Sequence, residues 1–204
     1  MIRIRLIIAL VTVVLSLCIG QYCLAQDIFP IGSSLTMKDH TMENVTGRNL
    51  SLSDLEKENG LVVIFISNTC PWVHRWQDQL LSLSDYADKN EIGLVAINPN
   101  ERYRNRGDGM DEMIKFADKA EFDFPYLLDE NHIIADAFGA SRIPELFLFN
   151  TNLELVYTGT IQQIEEQTTD YNSHIYSAIE SMLTGSNTQT TATESVGCTI
   201  KRSS

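Results

Sequence analysis

The chain is poor in cysteine, in basic residues and in long apolar runs, and each shortage closes off a class of function. Only four of its 204 residues are cysteine, Cys18, Cys23, Cys70 and Cys198, too few for a small scaffold held by a disulfide framework. Fifteen lysines and arginines face 27 aspartates and glutamates, a formal net charge of −12. A surface of that sign argues against nucleic acid and anionic membranes as partners. The apolar run from Leu6 to Ile19 is 14 residues long, short of the roughly 20 that span a bilayer. No glycine-rich phosphate cradle, no Ser–His–Asp pattern and no carboxylate pair stands out, so nucleotide and hydrolase chemistry have no support. Nothing calls for a cofactor.

What is present at the start reads as an export signal. Arg3 and Arg5 precede the apolar run, and Cys23-Leu24-Ala25 follows it as a small-residue cleavage site, so residues 1–25 are expected to be a secretory signal peptide. An uncleaved anchor is the alternative. Leu17 and Tyr22 are bulky where a lipidated cysteine needs a small neighbour. Without Arg3 and Arg5, thirteen basic residues face 27 acidic ones, a net charge of −14 over the remaining 179 residues. That length suffices for one domain with a real core. Cys70 and Cys198 are the two cysteines left, in a protein expected to enter an oxidising compartment.

The densest signal is Leu61 to Trp76. Leu61 to Ile66 run without a polar break, as a strand buried on both faces does. Pro71 suits the first turn of a helix. After it Val73, Trp76, Leu80, Leu83 and Ala87 recur at helical spacing, predicting a helix over 71–90. Cys70 therefore falls where a buried strand gives way to a helix. Unpaired N–H groups and the positive end of the helix dipole favour a thiolate there.

In chain order, residues 42–45 and 50–52 predict a hairpin around Thr46-Gly47-Arg48-Asn49, with Ser51 or Ser53 capping a short helical turn. A second buried strand covers 91–98, and 102–108 is a polar loop, basic against the trend of the chain. A helix is expected over 110–120, a short strand over 125–129, and a helix from a cap at Asn131 to a stop at Gly139. Residues 145–150 and 153–159 predict a hairpin, and Ile175, Ala178, Ile179 and Met182 a last helix ending before Gly185. Residues 185–195 are Thr, Ser, Asn and Gln with almost nothing apolar, the composition of a solvated linker. The expected organisation is a signal at 1–25, one α/β domain over 26–184, and a flexible tail over 185–204 that carries Cys198. The order of elements fits a three-layer sandwich around a central mixed sheet.

Four stretches in this order carry a resemblance: Phe65 through Trp72 (FISNTCPW), Phe124 to Asp129 (FPYLLD), Gly139 to Phe149 (GASRIPELFLF) and Gly197 to Lys201 (GCTIK). The chain resembles the thioredoxin-like superfamily on its alkyl hydroperoxide reductase/thiol-specific antioxidant side, the redoxin or peroxiredoxin-like proteins. The resemblance spans nearly the whole chain after residue 25. It implies a thioredoxin-like fold, a thiol-dependent oxidoreductase, a peroxide or disulfide substrate, a reducing thiol donor, and a place in the bacterial periplasm. Two departures bear on function. Val73 stands where thioredoxin has the second cysteine of Cys-x-x-Cys, so a simple dithiol reductase is disfavoured. Ser67 holds the hydroxyl position three before Cys70, but Val63 replaces the proline of the peroxiredoxin pattern.

Cys70 is the candidate nucleophile, weighed against a buried inert cysteine. His74, one turn on, is expected to act on the thiol as a cation or base, weighed against a surface histidine. The resemblance implies that Pro144 is cis and faces Cys70, with the Ile143 backbone free to pair with substrate. It also lets Arg142 point at the thiolate, weighed against an exposed loop arginine. Trp72 is expected to shield the site and Trp76 to belong to the core.

Cys198 has no packing reason to exist in a free tail. Fifteen residues separate it from Leu183, and as a coil they span near 20 Å, against a domain radius of about 16 Å. The tail can therefore bring Cys198 to an oxidised Cys70 to form a disulfide. Two other classes stay open. One is a copper-binding or metallochaperone module using Cys70, His74 and Cys198 as soft ligands. The other is a thioredoxin-like scaffold without turnover.

Overall fold

A computed structural model describes residues 29–161, 174–186 and 190–203; the expected export signal lies outside them. The uninterrupted apolar run becomes β3 (Leu61–Phe65), buried at all five positions. It pairs in parallel with β4 (Gly93–Asn98) on one side and antiparallel with β7 (Glu145–Phe149) on the other. Both neighbours are buried along their whole length, as strands covered on two faces must be. β1 (Met42–Asn44), β2 (Asn49–Leu50), β5 (Tyr126–Leu128) and β8 (Leu155–Gly159) complete a seven-stranded mixed sheet in the order β2-β1-β5-β4-β3-β7-β8. The hairpin expected at residues 42–52 forms and extends the sheet past β5.

The helices cover this sheet as an α/β sandwich of thioredoxin-like kind. The helix expected over 71–90 is two: α1 (Pro71–Arg75) and α2 (Gln77–Lys89). Trp76 interrupts them at φ −103°, ψ 14°. Its ring is buried and meets Trp72 edge-on at 5.9 Å, and its backbone N–H donates to the Trp72 and Val73 carbonyls in a tightened last turn. α2 packs on β4, α3 (Met110–Lys119) on β5, and α5 (His174–Thr184) on β8. Between β5 and β7, α4 (Ile133–Ala137) is capped by Asp129 rather than Asn131, whose φ is +56°. The Asp129 carboxylate accepts the Ile134 and Ala135 N–H groups. Burial pushes its pKa up, and those two bonds partly hold it down. Gly139, at φ +61°, ends the helix as expected. Phe65, Phe138, Phe147 and Phe149 form an aromatic cluster with ring centroids 5.1–5.7 Å apart where they touch edge-on.

The tail departs from the expectation of a free linker. Residues 190–203 lie along the domain. Thr158 pairs with Ala192 in a parallel bridge, and β9 (Cys198–Thr199) pairs antiparallel with β6 (Arg142–Ile143). Ile200 is buried. Arg202 bonds the Asp136 carboxylate at 2.7 Å and the Ala140 carbonyl at 2.6 Å. A polar composition says only that a segment cannot build its own core. It does not prevent backbone groups from completing the edge of an existing sheet.

Thr193 anchors the same tail to Tyr157, whose buried phenol lies 2.8 Å from the Thr193 hydroxyl and donates to the Thr160 carbonyl at 3.0 Å. Burial raises the Tyr157 pKa to about 12 against the pull of Thr193. The folded state thus keeps a proton that the unfolded chain releases near pH 10. This contribution to stability is full below about pH 10 and is lost as pH rises towards about 12. Tyr126 shifts the same way, through burial first and the Asp108 charge second. A spectrophotometric titration is therefore expected to show tyrosinates that appear only near pH 12 or together with unfolding. Ionisation of every tyrosine near pH 10 with the fold intact would contradict this.

Candidate active site

β3 delivers the chain to the site. After Phe65, the Ile66 N–H still bonds the Ile97 carbonyl, and the next four residues turn into α1. Asn68 is tied at every polar group. Its N–H donates to Asp108 Oδ1 at 2.8 Å, its amide nitrogen to the Gly107 carbonyl at 2.8 Å, its side-chain oxygen accepts the Tyr126 hydroxyl at 2.9 Å, and its carbonyl accepts His74 Nε2 at 2.7 Å. Thr69 Oγ1 donates to Asp108 Oδ2 at 2.7 Å. Cys70 follows as the residue flanking α1, in extended conformation at φ −88°, ψ 117°, with Pro71 as the first helical residue.

Cys70 is 1% exposed and is joined to Cys198 by a disulfide, with the Cα atoms 6.2 Å apart and a sequence separation of 128. The Ile143–Pro144 peptide is cis, and the Cys70 sulfur lies 3.3 Å from the Ile143 carbonyl oxygen. In the disulfide this is a packing contact; in the reduced protein the thiol can donate there. Ile143 is also the register partner of Cys198. The structure thus brings Cys70, Cys198, Ile143 and Pro144 together.

Gly197 is what allows the approach. A Cβ built on it would lie 2.0 Å from the Ile143 carbonyl oxygen and 2.6 Å from its carbon. Gly159 plays the same part upstream, since a Cβ there would meet Thr193 Oγ1 at 2.0 Å.

His74 and Arg142 are held elsewhere. The carbonyl of Asn68 can only accept, so His74 Nε2 donates to it, and the ring meets Phe116 edge-on at 5.2 Å. Arg142 is exposed. Successive side chains of a strand face opposite ways, so the inward Ile143 turns its neighbour outward. Trp72 is half-buried under the Arg75 guanidinium, 4.8 Å from its ring centre. The helix dipole at Cys70 is also shorter than a helix over 71–90 implies, because α1 ends after five residues. Ser67 is buried, and its hydroxyl has no hydrogen-bond partner.

Asp108, Asn98 and Asn100 carry the site from behind and were not legible as such. The Asp108 carboxylate, buried beside the Cys70 loop, accepts two bonds from that loop, one from Asn98 and one from Asn100. Its partners in the loop are some forty residues away in sequence. The one local signal is the Gly107-Asp108-Gly109 turn. Among the described residues no three His, Cys, Asp or Glu side chains gather as a metal would need: Cys70 and Cys198 meet, but His74 Nε2 is committed to the Asn68 carbonyl.

A model of the AhpC/TSA family matches residues 34–158. Among curated proteins, the thiol-disulfide oxidoreductase ResA of Halalkalibacterium halodurans is 26% identical over 129 residues, which are 61% of this chain and 69% of that protein. Among solved structures, an uncharacterized conserved protein from Geobacillus kaustophilus superposes with a TM-score of 0.79 at 28% identity, covering 87% of this chain and 94% of the other. The peroxidoxin BcpB of Mycobacterium tuberculosis, at 19% identity and a TM-score of 0.55 over 76% of this chain and 96% of its own, shares the fold.

Proposed function

The chain belongs to the AhpC/TSA family and is a thiol oxidoreductase, and from that premise we propose that it cycles between two free thiols and the Cys70–Cys198 disulfide, with a hydroperoxide as oxidising substrate. The bridge between a buried helix-start cysteine and a cysteine held on β9 carries this reading. The Cys70 thiolate attacks one peroxide oxygen. An S–O bond forms, the O–O bond breaks, and the alcohol or water leaves with a proton. The sulfenic acid then condenses with the Cys198 thiol and expels water. A donor thiol closes the cycle by attacking the half-buried Cys198 sulfur rather than Cys70, which is 1% exposed, so Cys70 departs as the thiolate. A second donor thiol then frees Cys198.

Ser67, with its uncommitted buried hydroxyl, supports an oxygen-bearing substrate or product beside Cys70. A small oxidant also suits a site whose Ile143 edge is already covered by β9. An extended disulfide substrate must first displace that strand. The second reading, exchange with a protein disulfide, is favoured by the name of the curated relatives. In either case residues 26–184 with the docked tail act as one unit, and residues 1–25 direct export, in a bacterium to the periplasm. No helix among the described residues is long and apolar enough to cross a membrane.

The test is the intact mass of the reduced protein after brief, near-stoichiometric hydrogen peroxide. Loss of two hydrogens is expected, with both cysteines closed to alkylation. Unmodified protein with two free thiols would exclude peroxide and leave disulfide exchange. The same spectrum of exported protein reads whether residues 1–25 have been removed.

A further inference from the structure

We propose that Asp108 and Asn100 are a positioning pair that couples the Cys70 loop to the strand bearing Cys198; this rests on Cys198 being the resolving thiol. An ionised carboxylate is an acceptor only, with about four lone-pair sites. In Asp108, itself fully buried, four donors fill them: Asn68 N–H at 2.8 Å and Asn98 Nδ2 at 3.1 Å on one oxygen, Thr69 Oγ1 at 2.7 Å and Asn100 Nδ2 at 3.0 Å on the other. The first and third of these belong to the two residues before Cys70. Arg104 is nearby, but its guanidinium serves the Asn98, Asp108 and Asp129 carbonyls and the Asn98 side-chain oxygen, not the carboxylate.

The consequence falls on Asn100. Its amide cannot turn over, because Oδ1 would then face the Asp108 carboxylate. The charge therefore holds the nitrogen inward and the oxygen outward. That oxygen accepts the Lys201 N–H at 2.8 Å, three residues beyond Cys198. The Lys201 carbonyl accepts the Arg102 N–H at 2.9 Å, so the tail is held at both backbone groups of one residue. One buried charge thus orients the loop of the nucleophile and, through a single amide, the anchor of its resolving partner. The pair acts on the effective concentration of Cys198 at Cys70 and not on the bond-making itself.

The measurement is the thiol–disulfide equilibrium in glutathione buffers, in which the reduced protein and glutathione disulfide give the Cys70–Cys198 disulfide and two glutathiones. Asn100→Ala and Lys201→Pro, which removes the donor N–H, are each expected to lower the equilibrium constant about tenfold, the worth of one net hydrogen bond. The double variant is expected to lose no more than either single one, since both break the same link. Asp108→Asn is expected to lower it at least as far. Lys201→Pro lies near the chain end and tests the link even where the Asp108 variant does not fold. Single variants within twofold of the wild type, or additive losses in the double variant, would overturn the coupling. A wild type that forms no Cys70–Cys198 disulfide in these buffers would instead overturn the resolving role of Cys198.

Discussion

Replacing Cys70 with serine is expected to reduce peroxide consumption to the uncatalysed background, whereas Cys198→Ser should preserve the first oxidation and lose turnover. The asymmetry follows from their chemical roles. A serine hydroxyl offers no thiolate, and the Ser67 hydroxyl is no substitute for the same reason: a thiol ionises far more readily than a hydroxyl and is the stronger nucleophile. In the proposed cycle Cys198 acts only once a sulfenic acid exists. With serine there, one equivalent of peroxide should leave a sulfenic acid on Cys70 that a specific trap captures, and excess peroxide should drive it to the irreversible sulfinic acid. Rapid-mixing consumption of peroxide and intact mass after trapping read the two steps separately. A Cys198→Ser protein that keeps full multiple turnover would show that the resolving thiol comes from elsewhere. A Cys70→Ser protein that keeps peroxide consumption would remove Cys70 from the reaction.

Gly197→Ala is expected to have the next largest effect, although only a single methyl group is added. The added Cβ would run into the Ile143–Pro144 peptide: the Ile143 oxygen at 2.0 Å, the Ile143 carbon at 2.6 Å and the Pro144 nitrogen at 3.2 Å. No side chain is there to yield, so the strand must withdraw, and Cys198 with it. Overpacking of this sort costs about 1–3 kcal/mol, roughly a five- to 150-fold fall in disulfide formation in glutathione buffers. The fold should lose stability alongside, since a bridge closing 128 residues contributes up to about 5 kcal/mol by constraining the unfolded chain. Oxidised wild type is therefore expected to melt well above reduced wild type, and oxidised Gly197→Ala to fall near the reduced protein. An alanine variant with wild-type disulfide formation and the same redox-dependent melting shift would mean that β9 does not need this approach.

The distribution of legible and illegible features has a physical cause. Burial on two faces leaves an unbroken apolar run, so β3 was readable from Leu61 to Ile66, and with it the position of Cys70 at the strand–helix junction. Helix and hairpin periodicities are equally local, which is why the order of elements, the α/β class and the family resemblance all follow from the sequence. A lone distant cysteine is a local fact as well and was enough to nominate Cys198, whereas Pro144 was nominated through the family resemblance. What depended on partners far along the chain was not readable. Asp108 carries no local mark of its bonds to Asn68 and Thr69, and the composition of residues 185–195 signals solvation while backbone pairing at Thr158 and Ile143 holds the tail in place. Spacing also put His74 on the face of Cys70 and Arg142 two residues before Pro144, but the Asn68 carbonyl bonds His74 and the alternation of β6 leaves Arg142 exposed. The sequence by itself determined where Cys70, the candidate nucleophile, stands: at the end of a buried strand where a helix starts. Only the tertiary structure decided how the second sulfur reaches it, because that depends on β9 pairing with β6 across a glycine-wide gap, between residues brought together by folding.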